Sequence, residues 1–241
     1  MSQIVVEIQS HLARLGFQPG SIDGRAGPKT TAALQAAELA ADDLGAALAV
    51  LAERVQLQRA QIPILTPARY RALASTGKEG WLPGLNAFLV SAHITEDRLA
   101  YTLAQLAHES GGFKYAREQG RGPETRYWPY IGRGPIQLTW ERNYAAAGDW
   151  LGLDLVGHPE WVEQPAIGWQ CAAWYWLNTG LNHHTDAADF EALTRAINGG
   201  TNGIADRRRW LERASALFPF GGGQIETRPR KSRRRKTRPT A

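Results

Sequence analysis

The sequence predicts a mainly α-helical protein, a small N-terminal helical unit followed by a larger helical body. Three observations carry this. Apolar residues recur at three- and four-residue spacing over much of the chain. Gly and Pro clusters cut that pattern into helix-sized pieces. No stretch alternates apolar and polar residues in the way a large sheet requires. A repeat of about 20–50 residues, the mark of a solenoid, is absent as well.

Taken in order, Val5, Ile8, Leu12 and Leu15 share one stripe, and Gly16 ends that helix. Pro19-Gly20 and Asp23-Gly24 are turn signals. Gly27-Pro28 leads into Thr30 to Leu34, a second helix started near a Thr cap. Residues 37–60 are Ala- and Leu-rich and predict a third helix, with Leu44, Leu48, Leu51 and Val55 on its stripe. Pro63 and Pro67 mark a boundary. Thr95-Glu96-Asp97 starts a helix that runs through Leu99, Leu103 and Leu106 to Glu109 and stops at Gly111-Gly112. Pro165 to Asn178 is a helix ended by Gly180. Trp169, Ala173 and Trp176 share one of its faces, and Cys171, Trp174 and Tyr175 occupy others, a pattern of core packing. The division that follows is 1–61, 62–220 and a basic tail over 221–241.

Composition narrows the function classes. A single Cys excludes an internal disulfide framework and a Cys-based zinc site. His183-His184 is not a chelating spacing, and His108-Glu109 lacks the second His of a zinc-protease helix. No metal and no cofactor is expected. No apolar run approaches the ~20 residues of a membrane span, and the N-terminus lacks the pattern of a secretory signal. The formal charge of +5 divides unevenly. Positions 226–241 carry eight Lys/Arg and one Glu, whereas positions 1–225 hold the other 20 basic and 22 acidic groups. The body is nearly neutral and the basicity is a tail with little to bury, which predicts disorder there rather than a nucleic-acid-binding face.

Glu109 is the first chemical candidate. It borders the buried stripe and lies in the last helical turn, two features that disfavour a negative charge and suit a general acid. On position alone, a surface Glu in a last turn is the better reading. Its neighbours change the balance. His108-Glu109-Ser110-Gly111-Gly112-Phe113, then Tyr130-Ile131-Gly132-Arg133-Gly134-Pro135-Ile136-Gln137-Leu138-Thr139 with Asn143-Tyr144, then Ile197-Asn198-Gly199-Gly200-Thr201-Asn202-Gly203 with Asp206-Arg207-Arg208, occur in that order. Together they resemble the motifs of glycoside hydrolase family 19, which contains plant-type chitinases and phage lysozyme-like endolysins. The resemblance covers roughly residues 62–218 and is stronger toward the endolysins. Residues 5–38, through Leu12 to Phe17, Ile22-Asp23-Gly24 and Gly27 to Thr30, resemble small three-helix peptidoglycan-binding domains, without the aromatic usual after the second helix.

The first resemblance implies a lysozyme-like helical fold and hydrolysis of β-1,4 links in amino-sugar polymers with inversion. It implies Glu109 as the acid and Glu118 as the base, with Glu124 a rival for the base. It also implies substrate-binding roles for Gln137, Thr139, Asn143, Asn198, Arg207 and Tyr130, with Arg207 pairing to the acid. Tyr127 and Trp128 are placed to stack on sugar. Asn202 stands where plant members carry a carboxylate. The function expected is that of an endolysin acting on peptidoglycan, held in a host bacterial cytoplasm until lysis, monomeric, without a specific nucleic acid partner, and touching an anionic outer membrane through its tail. A chitinase and a non-catalytic wall-binding lectin are the alternatives.

Overall fold

The computed structural model describes residues 2–59, 62 and 64–218. The basic tail lies outside the described residues. Among them there are eleven α-helices and no strand, only isolated bridges of Arg133 to Arg117 and to Leu138. The mainly helical class is therefore observed, with a helical N-terminal unit.

Three helices build the N-terminal unit: α1 (Gln3–Arg14), α2 (Pro28–Ala36) and α3 (Leu44–Arg59). Ile8 and Leu12 of α1 pack with Ala33, Leu34, Ala47 and Leu51 in a small core of their own. Buried Gln9 organises the turn-rich connection. Its side-chain oxygen accepts the N–H groups of Asp23 and Gly24, and its amide nitrogen donates to Arg25 O and Thr30 Oγ1. Two local expectations need correction. Thr30 does not cap α2: Gly27 occupies the cap, Pro28 follows at the first helical position, and the buried Thr30 hydroxyl donates to Pro19 O. Nor are residues 37–43 part of a long third helix. Glu38 has a positive φ of 58°, and α3 starts only at Leu44, where Asp43 accepts the N–H of Ala46. A good cap one residue before the periodic stripe sets the start, whatever the helix propensity upstream.

The body has α4 (Pro67–Leu73), α5 (Leu82–Ser91), α6 (Glu96–Glu109), α7 (Glu141–Leu151), α8 (Pro165–Asn178), α9 (Leu181–Asp186), α10 (Phe190–Asn198) and α11 (Ile204–Leu217). α6 runs through the centre with Leu99, Leu103 and Leu106 buried, and α11 lies along it. Thr95 holds the cap position of α6 but makes no side-chain capping bond; the acids Glu96 and Asp97 in the first turn remain to meet the dipole. α5 packs on α8 through Phe88 against Trp169 and Trp176, ring centroids 5.6 and 5.8 Å apart. Gly84 makes this approach possible, since a Cβ there would collide with Trp169 Cδ1. Trp169, Cys171, Trp174 and Trp176 are all core, and burial pushes the Cys171 thiol up to about 12.

The N-terminal unit is docked by the last turn of α1. The buried Arg98 donates to Arg14 O at 2.7 Å and to His93 O at 2.8 Å, and forks onto Asp186 at 2.6 and 2.8 Å. Buried Asn182 donates to Ala13 O, Arg14 O and Ala92 O while accepting Trp176 Nε1. The orphan carbonyls of a helix end are thus satisfied by a cation and an amide from the body.

Candidate active site

Glu109 ends α6 because the chain behind it cannot continue as a helix. Gly111 and Gly112 have φ of 60° and 77°. Ser110 closes the turn by donating to Leu106 O and accepting the Phe113 N–H. The Glu109 carboxyl is left 18% exposed at the surface of the turn. Opposite it, α11 delivers Arg207, whose side chain is only 2% exposed. Arg207 Nη2 donates to Glu109 Oε1 at 2.5 Å, Nη1 donates to Gln105 Oε1, and Nε reaches Asn202 O at 3.3 Å. Gln105 in turn donates to Thr194 Oγ1 at 2.8 Å. The pairing of Arg207 with Glu109 expected from sequence is present.

A second clasp joins the same two helices. His108 Nδ1 lies 2.7 Å from Asp206 Oδ2, and Arg209 donates to the other oxygen at 2.7 Å. Burial alone would raise the Asp206 pKa, but the hydrogen bonds from His108 and Arg209 outweigh it and hold the carboxyl below the usual Asp range. Gly203 is required here: its φ is 70°, and a Cβ would collide with the His108 ring. Tyr175 stands nearby, with its hydroxyl on Ile197 O; burial and then the Glu109 charge raise its pKa.

Glu118 follows the short connection from Phe113. Its backbone N–H donates to Gly132 O, and its carboxylate accepts Gly132 N at 3.2 Å, Tyr127 Oη at 3.2 and 3.3 Å, and Arg121 Nε at 3.0 Å. Gln137 approaches the same spot: a Cβ on Gly132 would lie 2.8 Å from Gln137 Oε1 and 3.4 Å from Glu118 Oε2. Gln137 holds a φ of 55°, a conformation uncommon for a residue with a side chain. Glu124, by contrast, is exposed and turned back on the N–H of Gly122 two residues away.

The remaining sequence candidates divide. Thr139 donates to Gln137 O and Asn143 donates to Thr139 O, so both brace the Gln137 turn while staying half-buried beside it. Asn198 uses its amide on Asn202 O and Gly200 N, clipping the loop that presents the Asn202 carbonyl to Arg207. Tyr130 packs its ring on Tyr144 at 5.5 Å and reaches Val156 O with its hydroxyl. Arg133 is a buried tether, donating to Glu163, Pro129 O and Tyr144. Trp128 and Trp140 are exposed, with Arg117 over one ring and Arg126 over the other. The residues that sequence reasoning missed are Gln105, Thr194 and the Tyr127 hydroxyl. Among the described residues, no three His, Cys, Asp or Glu gather as a metal site.

Residues 86–192 match the family model described as Chitinase class I, and residues 2–41 match that of a peptidoglycan binding domain. The larger body is thus similar to glycoside hydrolase family 19 proteins. Among relatives, it is similar to "Endochitinase At2g43620" of Arabidopsis thaliana, 44% identical over 117 residues, covering 44% of this chain and 41% of that protein. "Endochitinase At2g43610" of the same plant is 38% identical over 160 residues, covering 57% and 56%. The chain thus spans about half the length of these curated relatives or less. Among solved structures, a bacterial family 19 chitinase is 27% identical with a TM-score of 0.57, over 68% of this chain and 99% of that one. Chitinase C from Streptomyces griseus HUT6037 is 25% identical with a TM-score of 0.53, over 67% and 96%. These two chitinase structures are thus covered almost end to end, and residues 2–41 are matched by a separate family.

Proposed function

We propose that this chain hydrolyses β-1,4 glycosidic bonds of peptidoglycan and acts in bacterial cell lysis as an endolysin. The hydrolase half of the reading is supported by two carboxyl groups, each held by its own donors and each open in part to solvent: Glu109 by Arg207, and Glu118 by Tyr127 and Gly132. In the inverting scheme Glu109 protonates the leaving oxygen, and Glu118 takes a proton from the water attacking the opposite face of the sugar. Gln137 orients that water beside Glu118, and Arg207 keeps the Glu109 carboxyl aimed while the bond breaks. The peptidoglycan half is supported by the N-terminal match and by the docking of that unit on the body. The similarity to proteins named endochitinases favours a second reading, a chitinase on the N-acetylglucosamine polymer.

Glu109→Gln removes the transferable proton in a nearly isosteric change and should lower the rate by ~10²–10⁴-fold with the fold intact. Glu118→Gln should be comparably damaging and Glu124→Gln mild; the opposite ranking moves the base to Glu124. Clearing of chloroform-treated Gram-negative cells, assayed beside chitin hydrolysis, decides the substrate. Degradation of chitin alone overturns the peptidoglycan reading, and binding without hydrolysis of either would leave a lectin.

A further inference from the structure

We infer that Tyr127 is the positioning residue of the base: its hydroxyl, not its ring, serves the reaction, by holding the Glu118 carboxyl through both of its protonation states. This role rests on the reading of Glu118 as the base and not on which polymer is cleaved. A single hydroxyl is centred on both carboxylate oxygens: Tyr127 Oη lies 3.2 Å from Glu118 Oε1 and 3.3 Å from Oε2. Burial and then the Glu118 charge raise the Tyr127 pKa, so the phenol keeps its proton at neutral pH.

Backbone and ring both fix that hydroxyl. A run of turns sets the backbone: Thr125 N donates to Gly122 O and Trp128 N to Thr125 O, each at 2.9 Å, and Tyr130 N donates to Tyr127 O at 2.7 Å. The ring packs on Trp140 with centroids 4.9 Å apart, and Arg126 covers Trp140 in turn at 5.5 Å. Trp140 itself holds a φ of 76° while its N–H donates to Tyr130 O at 2.9 Å. A residue with a side chain keeps such a backbone only where its surroundings over-determine it. Sequence alone suggests that Tyr127 stacks on sugar. With its ring on Trp140 and its hydroxyl on Glu118, it is committed to the protein instead.

The other donors to Glu118 cannot take this part. Gly132 N–H and Arg121 Nε–H, at 3.2 and 3.0 Å, only donate, so they suit the carboxylate form alone. Arg121 is also half exposed, and an ion pair of that kind contributes little. A hydroxyl both donates and accepts. Before attack the Tyr127 O–H donates to the carboxylate. As the water oxygen bonds to the sugar carbon, Glu118 takes a water proton on one oxygen, while the glycosidic bond breaks and Glu109 gives its proton to the leaving oxygen. Tyr127 then donates to the carboxyl oxygen still bare, or accepts the new carboxyl O–H; no proton leaves the phenol. Both forms of the base thus meet a partner already at 3.2 to 3.3 Å, with no shift of heavy atoms.

The test compares full-length Tyr127→Phe, which keeps the ring and deletes the hydroxyl, with Tyr127→Ala, with Glu118→Gln, and with Tyr127→Phe placed in the Glu118→Gln background. Rates are measured at high enzyme concentration on soluble oligomers of chitin and of peptidoglycan glycan, beside thermal unfolding. Tyr127→Phe should lower kcat about tenfold or more and leave KM within about twofold, since a hydrogen bond to a charged group is lost in the chemical step and not in binding. In the Glu118→Gln background the same change should cost nothing further, because residues that act as one unit are not additive. An unaltered kcat in Tyr127→Phe overturns the role, and so does an undiminished loss in the double variant. A silent Tyr127→Phe beside a raised KM in Tyr127→Ala would make Tyr127 a sugar platform. A lowered melting temperature with kcat intact would make it structural. Near-wild-type activity of Glu118→Gln overturns the base assignment itself, whereas an inactive Glu118→Gln beside an unaffected Tyr127→Phe overturns only the positioning role.

Discussion

At the residue scale, the hold on Glu109 runs through Arg207 to Gln105 and on to Thr194. Glu109 and Glu118 stand inside or beside ordered motifs. Gln105, in contrast, is a polar residue in the middle of a helix whose sequence gives no reason to single it out. Only when α11 lies along α6 does it meet Arg207, and only α10 brings Thr194 to its other side. Such partners lie 89 and 102 positions away along the chain, a separation that no local pattern encodes. Gln105→Leu should therefore leave a buried guanidinium N–H unmet, at a cost of about 1–3 kcal/mol. Freed of one tether, Arg207 holds Glu109 less well. The expected result is a folded protein with a lower melting temperature, kcat down about tenfold or more, KM little changed, and an altered acid–base limb of the pH–rate profile. A normal pH profile with only the melting temperature lowered would make Gln105 a core residue and nothing more.

At the element scale, periodicity located α1, α2, α3, α6 and α8 and left the other helices of the body unassigned, and local chemistry misjudged some helix ends. The stripes of α1, α6 and α8 were read correctly because buried faces demand them. Thr30 and Thr95 looked like caps, yet one hydroxyl serves a distant loop and the other makes no capping bond. The docking of α1 was invisible for the same reason: Arg98 and Asn182 have no local signature, and most of their partners are backbone carbonyls. Gly16 shows how tight that junction is. Its φ is 92°, and a Cβ would collide with Asp186 Oδ2, the carboxylate oxygen that Arg98 grips. Gly16→Ala should cost about 1–2 kcal/mol from the backbone alone, with the displaced Arg98–Asp186 pair adding to it. Gly45→Ala is the matched control. It lies inside α3 with only an ordinary contact at 3.5 Å. The change there should be neutral or stabilising by up to ~1 kcal/mol. Thermal unfolding of the two variants checks the pair, and equal melting temperatures would mean that α1 is not held as described.

At the scale of the whole molecule, charge is separated from chemistry. The chain before Glu226 is close to neutral, and residues 226–241 carry a net +7, eight basic groups less one acidic. A polysaccharide hydrolase gains nothing from such a segment at the scissile bond. It gains where the route to the substrate crosses an anionic surface, since each Lys or Arg near such a surface contributes about 1 kcal/mol of attraction. We therefore predict that deleting residues 224–241 leaves the cutting of purified peptidoglycan unchanged and weakens action on intact Gram-negative cells, whose outer surface carries phosphate groups that Arg forks suit. The deficit should be large at ~0.01 M salt, where the Debye length is about 30 Å, and should shrink at ~0.15 M, where it is about 8 Å. Pro229 and Pro239, with few apolar residues around them, argue for adhesion rather than insertion of an amphipathic helix. An equal loss on purified wall and on cells would tie the segment to catalysis or folding instead, and a deficit independent of salt would remove electrostatics as its cause.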